Sequence, residues 1–162
     1  MLSEWIVAGG ELDRPRPRTV LQHVGLRARA VLLGNVTEGP GKGRAVAGEW
    51  PTEEGPVEEV RGVARPARDF FVDVGQGRSR RVGAEFVLDA GSCRVLGSTP
   101  APAYEVREGT TLTFRCVLSV VADYEWDGFG LPDVRQDWTV RDTGDIDGDY
   151  LLELEPVALP GR

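Results

Sequence analysis

The stretch at residues 111–127 constrains the fold more than any other, because its side chains alternate in polarity almost without a break. Leu112, Phe114, Cys116, Leu118, Val120, Ala122, Tyr124 and Trp126 share one parity, while Thr113, Arg115, Ser119, Asp123, Glu125 and Asp127 share the other. Successive side chains of a strand point to opposite faces. A period of two therefore predicts a strand with one apolar and one wet face, in an antiparallel sheet covered on one side. Wound as a helix, the same apolar positions would scatter around the whole circumference, and the Val, Thr and aromatic content favours the strand further. At about 3.3 Å per residue the stretch would reach roughly 50 Å if straight. That is too long for a domain of this size, so a strong coil or a bulge near Val120 and Val121 is expected, as where strands wrap a barrel or pass between packed sheets.

The rest of the chain repeats the pattern in shorter pieces. Residues 4–8, 26–36, 57–64, 69–74, 81–89, 92–96, 134–140 and 149–157 read as strands between glycine- and proline-rich connections. Those at 69–74 and 81–89 are expected to form a hairpin, since the connector GQGRS holds two glycines able to take positive φ. Residues 37–56 include GPGKG but have neither the spacing nor the following helix of a phosphate-binding P-loop. They read as a surface excursion whose Trp50 either caps an open end of the core, the favoured reading, or stands ready for a partner. No segment shows a 3.6-residue period with caps. A chain of 162 residues that is 41% hydrophobic can bury a core without metals or disulfides. The expected fold is all-β: a single antiparallel β-barrel or β-sandwich of about nine to eleven strands, with little or no helix, formed by residues 1–162 as one domain.

Charge is divided unevenly. Residues 1–81 carry 13 basic and 11 acidic side chains and residues 82–162 carry 6 and 15, so the halves stand at +2 and −9. Nucleic-acid binding draws most of its affinity from a basic face, and the arginines near 14–18 and 78–81 form only short groups without interleaved aromatics. No nucleic-acid partner is expected. Nor is a membrane one, since nothing approaches a transmembrane span. Cys93 and Cys116 have no CxxC spacing and no histidine neighbours, which predicts two buried thiols. The start MLSEWIVAGG lacks a basic segment followed by an apolar run, so a cytoplasmic protein is expected. Lys42 is the only lysine, an arginine bias that points to a G+C-rich, bacterial genome.

Motifs for chemistry are few. His23 is the only histidine, and one imidazole supplies no metal cluster. An EF-hand loop beginning at Asp145 would need glycine where Tyr150 stands and glutamate where Pro156 stands, so Asp142, Asp145, Asp147 and Asp149 read as a turn; no metal and no cofactor is expected. No catalytic residue is indicated. Asp123, Glu125, Asp133 and Asp137 would act as acid or base only if burial raised a pKa, and parity puts most of them outside. The aromatic residues of the last third are more informative. Tyr124, Trp126, Phe129, Trp138 and Tyr150, with Gln136 as a polar group on a core face, predict either the thick end of a core or a ligand pocket at a barrel mouth. In the pocket reading residues 128–133 form its lid.

Two functions follow. In the first, the protein is a binding or interaction protein whose acidic C-terminal half engages a basic partner. In the second, a small β-barrel holds an apolar small molecule in the aromatic pocket. It would act either as a binder or as a cyclase- or isomerase-type enzyme that works mainly by shape.

Overall fold

The computed structural model of the protein describes residues 1–29, 36–38, 58–100 and 107–158. Among them are the helices α1 (Glu4–Ala8) and α2 (Asp123–Phe129) and nine strands. The strands are β1 (Val20–Val24), β2 (Leu26–Arg29), β3 (Val36–Glu38), β4 (Glu58–Asp73), β5 (Ser79–Asp89), β6 (Arg94–Pro100), β7 (Thr111–Val120), β8 (Gln136–Ile146) and β9 (Asp149–Pro156). The fold is all-β and built of two sheets, with orders β1-β8-β9 and β2-β6-β5-β4-β7-β3.

In the larger sheet β2 pairs with β6 on one side and with β7 on the other, so the ladder β2–β6–β5–β4–β7 returns to β2. Every pairing is antiparallel except β2 with β6. The expected wholly antiparallel arrangement fails there for a topological reason. Five strands in a ring cannot alternate direction throughout, and one neighbouring pair must run the same way.

Three local expectations are corrected. The strand expected at residues 4–8 is α1, whose first free N–H, on Glu4, donates to Asp149 Oδ1 at 2.8 Å while Ile6 turns into the core. The long strand expected through Trp126 stops at Val120. From Asp123 the chain forms α2, with Asp123 and Glu125 in the first turn, where acids suit the helix dipole, and Gly130 in the left-handed conformation at its end. Residues 57–64 and 69–74, expected as separate strands around Pro66, form the single strand β4. Proline has no N–H to give to a ladder, and the pairing with β5 shifts register between Pro66 and Arg68.

The β4–β5 hairpin forms as expected, with Gly75, Gln76 and Gly77 all at positive φ. Asp147 and Gly148, at φ 52° and 92°, close β8 onto β9 in the two-residue turn that Asp-Gly favours. His23 also has positive φ and lies where β1 slips its register on β8, its N–H held by Asp137 Oδ1 at 2.9 Å. Residues 39–57, with Trp50, lie outside the described residues.

The main core lies between the sheets. Leu21, Val24, Trp138 and Val140 of the smaller sheet meet Leu26, Ala28, Ala64, Phe86, Leu88, Val95, Leu112, Cys116 and Val120 of the larger. A second cluster, Leu96, Val121, Trp126, Leu131 and Val134, covers the opposite face of β6 beneath α2. No helix among the described residues is long and apolar enough to cross a membrane.

Candidate functional site

A cavity of about 340 Å³ opens between the two sheets. Its walls are Leu26, Val60, Val95, Leu118 and Trp138, closed by Leu151, Leu152 and Leu154 of β9, and the exposed Glu58, Ser92 and Glu153 mark its solvent side. Strand parity builds this surface. Val95 and Leu118 come from the inward faces of β6 and β7, and Gln136, Trp138 and Val140 are the buried positions of β8, alternating with Asp137 and Thr139. Trp138 is held in place by its indole N–H, which donates to the Val24 carbonyl at 3.0 Å. That bond satisfies the one polar atom the ring takes into the core, so the rest of the indole serves as an apolar wall.

Cys93 lines the cavity as well. Burial raises its pKa above the ordinary thiol value, with Asp89 adding to the rise and a hydrogen bond with Ser92 opposing it. Cys116, in the core behind, is pushed up to about 12, by burial and then by the charge of Glu58. Both are free and protonated near neutral pH, and so behave as small apolar side chains.

The structure disperses the six residues expected around one pocket. Trp138 lines the cavity. Gln136 is buried beside it in β8, but its Oε1 accepts the Arg94 N–H at 3.1 Å and its Nε2 has no hydrogen-bond partner among the described residues. Tyr150 packs against the main core, with the Arg14 guanidinium 5.8 Å over its ring. Trp126, only 4% exposed, belongs to the second cluster, with the Arg135 guanidinium 5.7 Å from its ring. Tyr124 stands in solvent against Trp5, with ring centroids 5.9 Å apart. Phe129 ends α2, and its side chain lies outside what is described.

Sequence reasoning missed one constellation altogether. On the outer face of the larger sheet, Glu85, 5% exposed, accepts from Arg68 Nε at 2.8 Å and lies 3.7 Å from Arg27, which also binds Glu125 of α2 at 2.9 Å. The signal was present. Glu85 stands between Ala84 and Phe86 in a run, residues 82–88, that holds no other polar side chain, and Arg27 occupies the outer parity of β2. What joins them is strand order, which brings β2, β6 and β5 side by side.

No protein family, curated protein or solved structure matches the chain in sequence or fold comparison.

Proposed function

We propose that the protein binds an apolar small molecule in the cavity between its two sheets. The observation that carries this reading is the wall itself: Trp138, Leu118, Val95 and the β9 leucines surround about 340 Å³, within the size range of ligand pockets, roughly 300 to 1,000 Å³. Orienting polar groups, Glu58, Ser92 and Glu153, stand only at the solvent side. The finer architecture that goes with this reading is a barrel with the smaller sheet laid across it, supported by the pairing of β2 with both β6 and β7. Cys93 favours binding over covalent chemistry, since its raised pKa leaves little thiolate. An environment-sensitive apolar dye tests the reading: its fluorescence should rise saturably with the protein and fall about tenfold in affinity for Leu118→Trp, which fills the space. Equal dye binding by the two proteins would end it.

A second reading is supported by the placement of the acids. Asp142, Asp145, Asp147, Glu153 and Glu155 are all exposed on the β8–β9 hairpin, an acidic surface suited to a basic protein partner. Capture of one basic protein, released by salt and lost with the pair Asp142→Lys and Asp145→Lys, would support it. Capture unaffected by those changes would not.

A further inference from the structure

β9 is the edge strand of the smaller sheet, and its outer edge is left half used. Across the two-residue turn Asp149 pairs with Ile146, and the extra residue of the β8–β9 bulge lies on β8, so alternation along β9 is unbroken. Its odd positions bond β8, and the even ones, Tyr150, Leu152 and Leu154, turn their N–H and C=O groups away from it. At Tyr150 these groups are satisfied, since Leu2 lies antiparallel to it and exchanges two hydrogen bonds at 2.9 Å. Met1 then leaves the edge for β7, its amino group donating to the Leu118 carbonyl at 2.7 Å and its own carbonyl accepting the Val120 N–H at 2.8 Å. Leu152 and Leu154 have no main-chain partner on this side among the described residues.

The apolar cavity runs along this same edge. Leu151, Leu152, Glu153 and Leu154 all line it, and consecutive residues of both parities meet a cavity at a strand's edge, not at one of its faces. Unpaired main-chain groups beside apolar space are what an added strand uses: hydrogen bonds hold it, and pockets for alternate side chains select it. Charge then decides which strand. Leu152 and Leu154 pack toward the core, so residues opposite them would face the cavity, while the residue between would stand opposite Glu153. Glu153 is exposed and has no ion pair among the described residues, whereas Glu155 is already paired with Arg141. Glu58 stands on the far side of the cavity. A second copy of β9 on this edge would set Glu153 opposite its own copy, and like charges directly opposed are unfavourable. A basic segment meets no such cost.

We propose that the outer edge of β9 takes a short extended segment of a partner protein by antiparallel strand addition, with apolar residues opposite Leu152 and Leu154 and a lysine or arginine between them opposite Glu153. The inference rests on the reading of an acidic surface that meets a basic protein, and adds to it the mode of binding. The probe is a blocked, fluorescently labelled hexapeptide of alternating valine and lysine, titrated into the full chain and followed by anisotropy. Saturable binding is expected, about tenfold weaker when the valine nitrogens are methylated, which removes main-chain donors and keeps the charge. Glu153→Lys, at an exposed position opposite Asp142, should melt like the parent and bind the peptide about three- to tenfold more weakly. In the complex the Leu152 and Leu154 amides should gain protection from hydrogen exchange. The proposal is overturned if the peptide does not bind saturably, if Glu153→Lys binds like the parent, or if the two amides gain no protection. Equal binding of the methylated peptide also overturns it, but leaves the acidic surface its basic partner. Equal binding of a valine and glutamate peptide would end both. A dimer that dissociates as the peptide binds would give the edge to a second copy instead.

Discussion

Gly25 and Gly97 show how single positions decide the packing. A Cβ on Gly97 would stand 2.3 Å from the ring of Phe86, its cross-strand partner, and one on Gly25 would stand 2.0 Å from the ring of Trp126. Neither glycine is needed for a turn; each makes room for a ring. Gly25→Ala should therefore cost about 1 to 3 kcal/mol by overpacking, and Trp126→Ala about 3 to 5 kcal/mol by cavity formation. The double variant should cost clearly less than the sum, because the three atoms nearest the added methyl all belong to the ring that is removed. Urea denaturation of the three variants checks this, and strict additivity would contradict it. The ring over Gly25 comes from α2, distant in sequence, and the ring over Gly97 from β5, the strand just before β6, so the immediate neighbours in the chain announce neither role.

Among the elements, α2 departs most from its sequence pattern. Alternation from Thr111 onward is satisfied by β7 as far as Val120, and beyond that a different set of contacts takes over. Trp126 packs over Gly25, the Val121 N–H bonds the Gly25 carbonyl at 3.0 Å, and Glu125 reaches Arg27. Glu85 anchors the sheet beneath. Glu85→Gln removes the carboxylate shared by two arginines and should cost about 3 kcal/mol, as for breaking a buried ion pair. Glu125→Gln leaves Arg27 its pairing with Glu85 and loses a less buried group, so about 1 kcal/mol is expected. Thermal melts check the order. A larger loss for Glu125→Gln would mean that α2, not the sheet, holds the network.

At the scale of the whole molecule, titration of the thiols links the core to pH. Cys116 is protonated up to about 12 in the folded state, whereas its ordinary value is 9.0. The unfolded chain therefore loses this proton first as pH rises. The stability contributed by the buried neutral thiol is complete below pH 9.0 and declines between there and about 12. Cys116→Ala or Cys116→Val should flatten this alkaline limb of a denaturation-versus-pH curve, and an unchanged limb would assign it to other groups. In the native state Cys116 should also resist a chromogenic disulfide reagent until the protein unfolds. At the acid end, the hydrogen bond from Arg135 to Asp133 lowers that carboxyl's pKa. Its contribution is present above the ordinary aspartate value and lost as pH falls through the lowered one. With Asp133 mostly exposed, the effect is small.

The sequence by itself determined the predominance of strands, the hairpin joining β4 to β5, and the buried face of β8 with Gln136, Trp138 and Val140. These rest on local geometry: a strand repeats every two residues wherever it is placed, and glycine permits positive φ whatever its neighbours. Only the tertiary structure decided that residues 4–8 and 123–129 become helices. For such short segments the intrinsic preference is slight, and it is overridden by distant contacts, as when Asp149 caps α1 across 145 residues of chain. Strand order likewise belongs to the tertiary structure. It sends Trp138 to the cavity, Trp126 to a second cluster and Tyr124 to the surface against Trp5, because parity says which side of a strand a residue faces but not which strand lies beside it.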